Sequence, residues 1–194
     1  MAKWHYVCSI TAALTAGGAG AQNSGPPILN IDATARTGDD TRPVHLRFFC
    51  SSNKGPNVTG VLSVALDVPR YEQLRPTFDF DPFEGPDATA GALTSLEASR
   101  VRSKATGRFA ASGSVQGTGA AESFALEVNV SRREAGPLRK LGSVLRPLFD
   151  GPGRLVWRQG NAKAGGTPMV VSVDLTQAQA DQLKAAIGPC LNGL

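Results

Sequence analysis

Short segments in which apolar and polar residues alternate recur along this chain, and they constrain its fold more than any other feature. The clearest alternation lies at 44–49, 62–68 and 124–130. A period of two places successive side chains on opposite faces, which is typical of a half-buried antiparallel strand. Weaker strand patterns occupy 78–80, 93–101, 107–115, 155–157 and 169–175. About eight such strands predict a mainly β domain, either an antiparallel β-sandwich or a partly open barrel.

Two further segments have helical periodicity. In the first, at 138–148, apolar residues recur at spacings of three and four, and Pro147 is expected to end or kink the helix. In the second, Thr176 and Gln179 stand in the positions of a capping box. Gly188-Pro189 marks the expected end or break of this helix. The sequence therefore predicts two short helices, one of them C-terminal.

The N-terminal residues have the pattern of an export signal. Lys3 precedes a short apolar run, and Ala19-Gly20-Ala21 offers the small residues that a signal peptidase recognises. The run is too short to cross a membrane as a stable helix. The predicted organisation is a signal peptide at 1–21, an extended leader at 22–42 whose turns leave room for disorder, and a single β-rich domain at 43–194.

The cysteines fit an exported protein. Cleavage after the signal would remove Cys8 and leave Cys50 and Cys190. In an oxidising compartment such a pair is most simply a disulfide, which by the chain-entropy model stabilises a loop of this length by about 5 kcal/mol. The alternative is a pair of buried free thiols, as in a cytosolic protein. A zinc site is disfavoured because neither cysteine has a second ligand at short spacing.

Composition and motifs exclude several classes of function. His45 is the one histidine left after cleavage, and the chain has no Gly-x-Ser-x-Gly, phosphate-loop, His-Glu-x-x-His or Cys-x-x-Cys motif. We therefore expect no cofactor and favour a non-enzyme. The net charge of +4 and the few aromatic residues argue against nucleic acid. No segment after the signal is long and apolar enough to span a membrane.

A cluster of acidic residues is the most suggestive local motif. Asp79, Asp81, Glu84 and Asp87 lie in a turn-rich segment and offer the oxygen ligands that hard cations require. Their spacing does not match the twelve-residue calcium loop. The alternative is a solvated acidic loop in which Phe78, Phe80 and Phe83 pack inward or cover a sheet edge. If they are exposed instead, Phe80 and Phe83 are candidates for an interaction surface.

The predicted helix at 138–148 is the basic counterpart of that loop. It carries Arg139, Lys140 and Arg146 between its apolar positions. A cationic amphipathic helix can lie on an anionic membrane or dock on a partner. The other interpretation, which we favour, is that it covers a sheet and holds its charges in water.

Three functions remain open. The first is a non-enzymatic interaction module, exported to the periplasm or the medium, whose partner is an envelope protein. The second is a carrier of a small apolar ligand, held in a barrel or between sheets by residues such as Leu62, Leu66, Phe124 and Trp157. The third and weakest is a metal-dependent enzyme that uses the acidic loop at 79–87.

Overall fold

A computed structural model describes residues 27–51, 60–69, 94–116, 123–161 and 165–192 of the chain. In these residues we number nine strands in chain order: β1 (Ile28–Thr37), β2 (Asp40–Ser51), β3 (Val61–Pro69), β4 (Thr94–Arg100), β5 (Ser103–Phe109), β6 (Ser112–Gln116), β7 (Ser123–Ser131), β8 (Gly153–Gln159) and β9 (Met169–Leu175). Two α-helices accompany them, α1 (Ala135–Leu145) and α2 (Gln177–Leu191).

All nine strands belong to one curled sheet that forms a half-barrel. Its order is β5-β4-β8-β9-β1-β2-β3-β7-β6, and every neighbouring pair is antiparallel. The predicted class, mainly β with two helices of which one is C-terminal, is confirmed, and the architecture is the partly open barrel rather than the sandwich.

The two edge strands of this sheet are consecutive in the chain. β5 pairs only with β4 and β6 only with β7, yet Ala110 and Ala111 alone separate them. Three residue steps span at most about 11 Å, so the sheet must curl until its edges approach each other at this point. We call the opening that remains between β5 and β7 the seam. The sequence predicted one strand at 107–115, whereas the chain bends at Ala110 and changes its pairing partner.

The structure corrects the prediction of an extended leader at 22–42. Residues 28–37 form β1, which lies in the middle of the sheet between β2 and β9. Leu29 and Ile31 are buried in the core. The turn indicated by Thr37-Gly38-Asp39-Asp40 is present, as the two-residue loop of the β1–β2 hairpin, in which Gly38 adopts a φ of 61°. Gly25-Pro26, the other turn signal of that stretch, and the strand predicted at 78–80 lie outside the described residues.

The helices depart from prediction at their C-terminal ends. α1 gives way to a 3₁₀ turn at Arg146–Asp150, as expected where Pro147 follows. α2, however, continues through Gly188-Pro189, and the amide of Asn192 still donates to the Gly188 carbonyl at 3.0 Å. Cys190 therefore lies inside the helix rather than beyond it. Proline is tolerated there because it removes one hydrogen bond near the helix end, where packing holds the last turn.

One hydrophobic core fills the concave side of the sheet. α2 packs on β1, β2, β3 and β9, whereas α1 packs on β4, β5 and β7 and covers the seam. The largest side chains of the core are fully buried: Trp157, Phe48, Leu46, Leu62, Leu66, Leu96, Leu126, Leu138, Leu141, Leu145 and Leu148.

The predicted disulfide is present. Cys50 on β2 and Cys190 on α2 are bonded across a separation of 140 residues, and both are buried. It fixes the C-terminal helix to the middle of the sheet. Among the described residues, no helix has the length and apolarity needed to cross a membrane.

Candidate functional site

A cleft opens to the surface at the seam. It has a volume of about 530 Å³, which lies in the range of ligand-binding clefts. Three elements form it: the end of β5, the end of β7 and the first half of α1. Its lining residues are Arg108, Phe109, Ala110, Val128, Asn129, Val130, Glu134, Pro137 and Lys140.

One wall of the cleft is a strand edge that, among the described residues, no further strand covers. The pairing of β6 with β7 stops at Ser112 and Glu127, so the last residues of β7 have β3 as their sheet neighbour on one side only. The amide of Arg132 donates to the Gly60 carbonyl at 2.8 Å. Since backbone groups of an antiparallel strand alternate in direction, those of Asn129 face away from β3 and towards the cleft.

The opposite wall is the edge of β5, where Lys140 covers one backbone group. Its Nζ donates to the Arg108 carbonyl at 2.6 Å and lies 5.3 Å from the centre of the Phe109 ring. That carbonyl must face away from β4, and the Arg108 amide with it. An ammonium has three N–H donors, so Lys140 can still bind an acceptor in the cleft.

The floor of the cleft is apolar and tightly packed. Phe109, Val128 and Val130 are all buried. The Phe109 ring folds back over Gly107, where a Cβ atom would lie 2.5 Å from its Cζ and 3.1 Å from Cγ2 of Val144 on α1. Glycine at this position therefore lets the ring and the helix approach β5.

The rim of the cleft is basic. Arg108 and Lys140 line it, against the carboxylate of Glu134. Arg132, Arg133 and Arg139 are exposed at neighbouring positions of the chain. None of the five forms an ion pair with an acidic side chain of the described residues. The cleft thus combines an open strand edge, an apolar floor and an excess of positive charge.

A second group of charged residues lies on the convex face of the sheet. Arg47 on β2 contacts Asp67 on β3 at 3.5 Å and Glu127 on β7 at 3.2 Å. Burial raises the pKa of the Asp67 carboxyl above its ordinary value, while the nearby Arg47 guanidinium opposes that shift. Cross-strand pairs of opposite charge stabilise sheets in this way, and we assign the group a structural role.

His45 lies beside that group but has no catalytic arrangement among the described residues. Its Nδ1 is 2.8 Å from the Asp32 carboxylate, and both side chains are well exposed. A histidine base needs a nucleophile within hydrogen-bonding reach, and none of its described hydrogen bonds joins it to one.

Several predicted site residues cannot be placed. Asp79, Asp81, Glu84, Asp87, Phe80 and Phe83 lie outside the described residues. Within the described part of the chain, no group of three or more His, Cys, Asp or Glu side chains could hold a metal ion.

The predicted basic residues are separated by the structure. Arg139 and Lys140 are exposed on α1, and Lys140 belongs to the cleft. Arg146 lies in the 3₁₀ turn and donates to the Leu191 carbonyl at 2.5 Å, which joins it to the end of α2. The apolar face of α1 is buried against the sheet, so it is not presented to a membrane or a partner.

The residues predicted to line a ligand cavity are packed in the core. Leu62, Leu66, Phe124 and Trp157 belong to one cluster of buried side chains. The cleft at the seam and the smaller pocket at Arg100–Ser103 are lined by none of these four residues. Two buried donors in this interior, Trp157 Nε1 and Gln159 Nε2, nevertheless have no hydrogen-bond partner within the described residues.

Arg108, Phe109 and Asn129 were missed by sequence reasoning. They come from two strands, and their meeting depends on the bend at Ala110, which carries no turn signal. Comparison with known proteins adds no assignment, because no family model, curated protein or solved structure matches the chain.

Proposed function

We propose that this protein is an exported, non-enzymatic binding module of the cell envelope, and that the cleft at the seam binds a partner protein. The observation that carries the proposal is the edge of β7, which no described strand covers beyond Glu127, beside a buried apolar floor. Native proteins commonly cover or charge such an edge because it templates pairing with another chain. Here Lys140 hydrogen-bonds to a backbone carbonyl on the β5 edge and not to the β7 edge.

Export is supported by two independent features. The N-terminal residues have a signal-peptide pattern with a cleavage site after Ala21. The disulfide between Cys50 and Cys190 is of the kind that persists in oxidising compartments. A mature mass that begins at Gln22, with both thiols oxidised, is the expected result for the protein purified from the cells that make it. An intact Met1 with free thiols would contradict export.

Site-specific photocrosslinking tests the binding site. A photoreactive phenylalanine analogue replaces Ala110, which is exposed and lines the cleft; the matched control replaces Ser172, which is exposed on β9. We expect a covalent adduct with one protein from position 110 only, and a large loss of that adduct when Lys140→Glu is added. Equal adducts from both positions, or none from position 110, would overturn the proposal.

The carrier of a small, mainly apolar ligand remains the second candidate, and the unpaired donors of Trp157 and Gln159 favour it if that ligand carries a hydrogen-bond acceptor. A buried donor without an acceptor is costly, and a bound water or ligand would relieve that cost. Native mass spectrometry of the same purified protein separates the two candidates. A discrete added mass that survives purification, and that Trp157→Phe removes, would favour the carrier. The mass of the protein without any addition would leave the binding module as the remaining candidate.

A further inference from the structure

We infer that the partner segment binds in an extended conformation as an added strand on β7 at Asn129, and that an acidic side chain of this segment contacts Lys140 and Arg108. This inference rests on the proposed function and makes it specific. It names the geometry of binding, which is strand addition, and the chemistry of the partner, which is an extended acidic peptide.

Strand addition follows from the direction of the backbone groups. The N–H and C=O of Asn129 face the cleft, beyond Glu127, which is the last residue of β7 that pairs with β6 on this side. Arg108 presents its own backbone groups from the opposite side. An extended chain between them could form main-chain hydrogen bonds with β7, while its alternate side chains would point to the apolar floor and to solvent.

An acidic partner follows from the charges. The rim carries Arg108 and Lys140, and neither has an ion-pair partner among the described residues. Lys140 is already held in place by the Arg108 carbonyl and the Phe109 ring, so little side-chain entropy would be lost when it binds a carboxylate. Complementary charge also raises the association rate.

A lipid surface explains the site less well. A membrane-binding amphipathic helix inserts its apolar face into the lipid. The apolar residues of α1 are already buried in the core, with Leu138 2 % and Leu141 0 % exposed. What α1 presents outward is charge, and the unsatisfied element beside it is a strand edge.

Peptide binding to the mature, oxidised chain tests the inference. The probe is a blocked hexapeptide of alternating valine and threonine with one central glutamate, and its controls carry lysine at that position or N-methyl groups on alternate amides. We expect the glutamate peptide to shift the NMR signals of the Arg108 and Asn129 amides and to bind at least ~10-fold more tightly than the lysine peptide. N-methylation should abolish binding.

Matched variants assign the contacts. Asn129→Pro removes the amide that faces the cleft but no hydrogen bond to β3, and Asn129→Ala keeps that amide. We expect the proline variant not to bind the glutamate peptide and the alanine variant to bind it. We expect Lys140→Glu to reverse the preference between the glutamate and lysine peptides. If the proline variant fails to fold, the N-methyl peptide tests the same hydrogen bonds.

Two results would overturn the inference: equal binding of the parent and N-methyl peptides, or no change of charge preference in Lys140→Glu. A dimer that dissociates in Lys140→Glu would also overturn it, because a second copy would then be the occupant. These failures are distinct from failure of the proposed function. A crosslink at position 110 without peptide binding would leave a binding module that does not add a strand.

Discussion

The two helices of this protein are attached to the sheet in different ways. α2 begins with a complete capping box between Thr176 and Gln179, and the disulfide at Cys190 bonds its last turn to β2. α1 begins at Glu134 without a side-chain cap and contains Gly136 and Gly142. Packing and the contacts of Lys140 with Arg108 and Phe109 therefore hold α1 on the seam, without a cap or a covalent bond. The sheet therefore holds α2 by more than one kind of attachment, whereas α1 is attached more sparsely and lies beside the open cleft.

Removing the disulfide should have the largest effect on stability. It should leave α2, like α1, without a covalent attachment to the sheet. For Cys50→Ala with Cys190→Ala we expect the free energy of unfolding to fall by about 2–5 kcal/mol, since the bond closes a long loop. Urea denaturation followed by circular dichroism measures the loss. Wild-type protein unfolded under a reducing agent is the control and should match the variant; an unchanged midpoint would mean that packing alone holds both helices.

A smaller loss is expected where α1 meets the seam. Gly107→Ala would force a methyl group against the Phe109 ring and Val144, and overpacking of this kind costs about 1–3 kcal/mol. Gly136→Ala is the control, because a Cβ there meets nothing within 4 Å and alanine favours the helix. Thermal melts should move in opposite directions for the two variants. If Gly107→Ala left the melting temperature unchanged, this would show that α1 is loosely packed on β5.

The helix caps give a third and weaker comparison. Thr176→Ala removes the cap of α2 and should cost about 1 kcal/mol. Glu134→Ser offers α1 a cap that it lacks and should stabilise the protein by several tenths of a kcal/mol. Chemical denaturation measures both. Equal losses in the two variants would contradict the assignment of Glu134 as an uncapped start.

The smallest effect concerns the convex face, which lies opposite the helices. Burial raises the pKa of Asp67, so the folded state binds its proton more tightly than the unfolded chain does. The corresponding stability is present at low pH and is lost as pH rises from the ordinary aspartate range through the folded pKa. Asp67→Asn should remove that decline from the pH profile of unfolding. If the stability of Asp67→Asn declined with pH in parallel with that of the wild type, another group would be responsible for the decline.

Features encoded by nearby residues were predictable, and features that depend on distant pairing were not. The alternation of β2, β3 and β7 and the capping box at Thr176 are local, and the disulfide followed because only two cysteines remain after cleavage. β1 was missed because turn signals on both sides outweighed the alternation from Leu29 to Ala35. The cleft was missed because it requires β5 and β6 to pair with opposite edges of the sheet.

Hydrogen–deuterium exchange of the mature, oxidised chain tests most directly the claim that the seam is the open part of the fold. We expect the amides of α1 to exchange through local opening, at a free energy well below that of global unfolding. The amide of Asn129 faces the cleft and should exchange without any opening. Amides of α2 should exchange only with global unfolding. Equal protection of the two helices would contradict the claim.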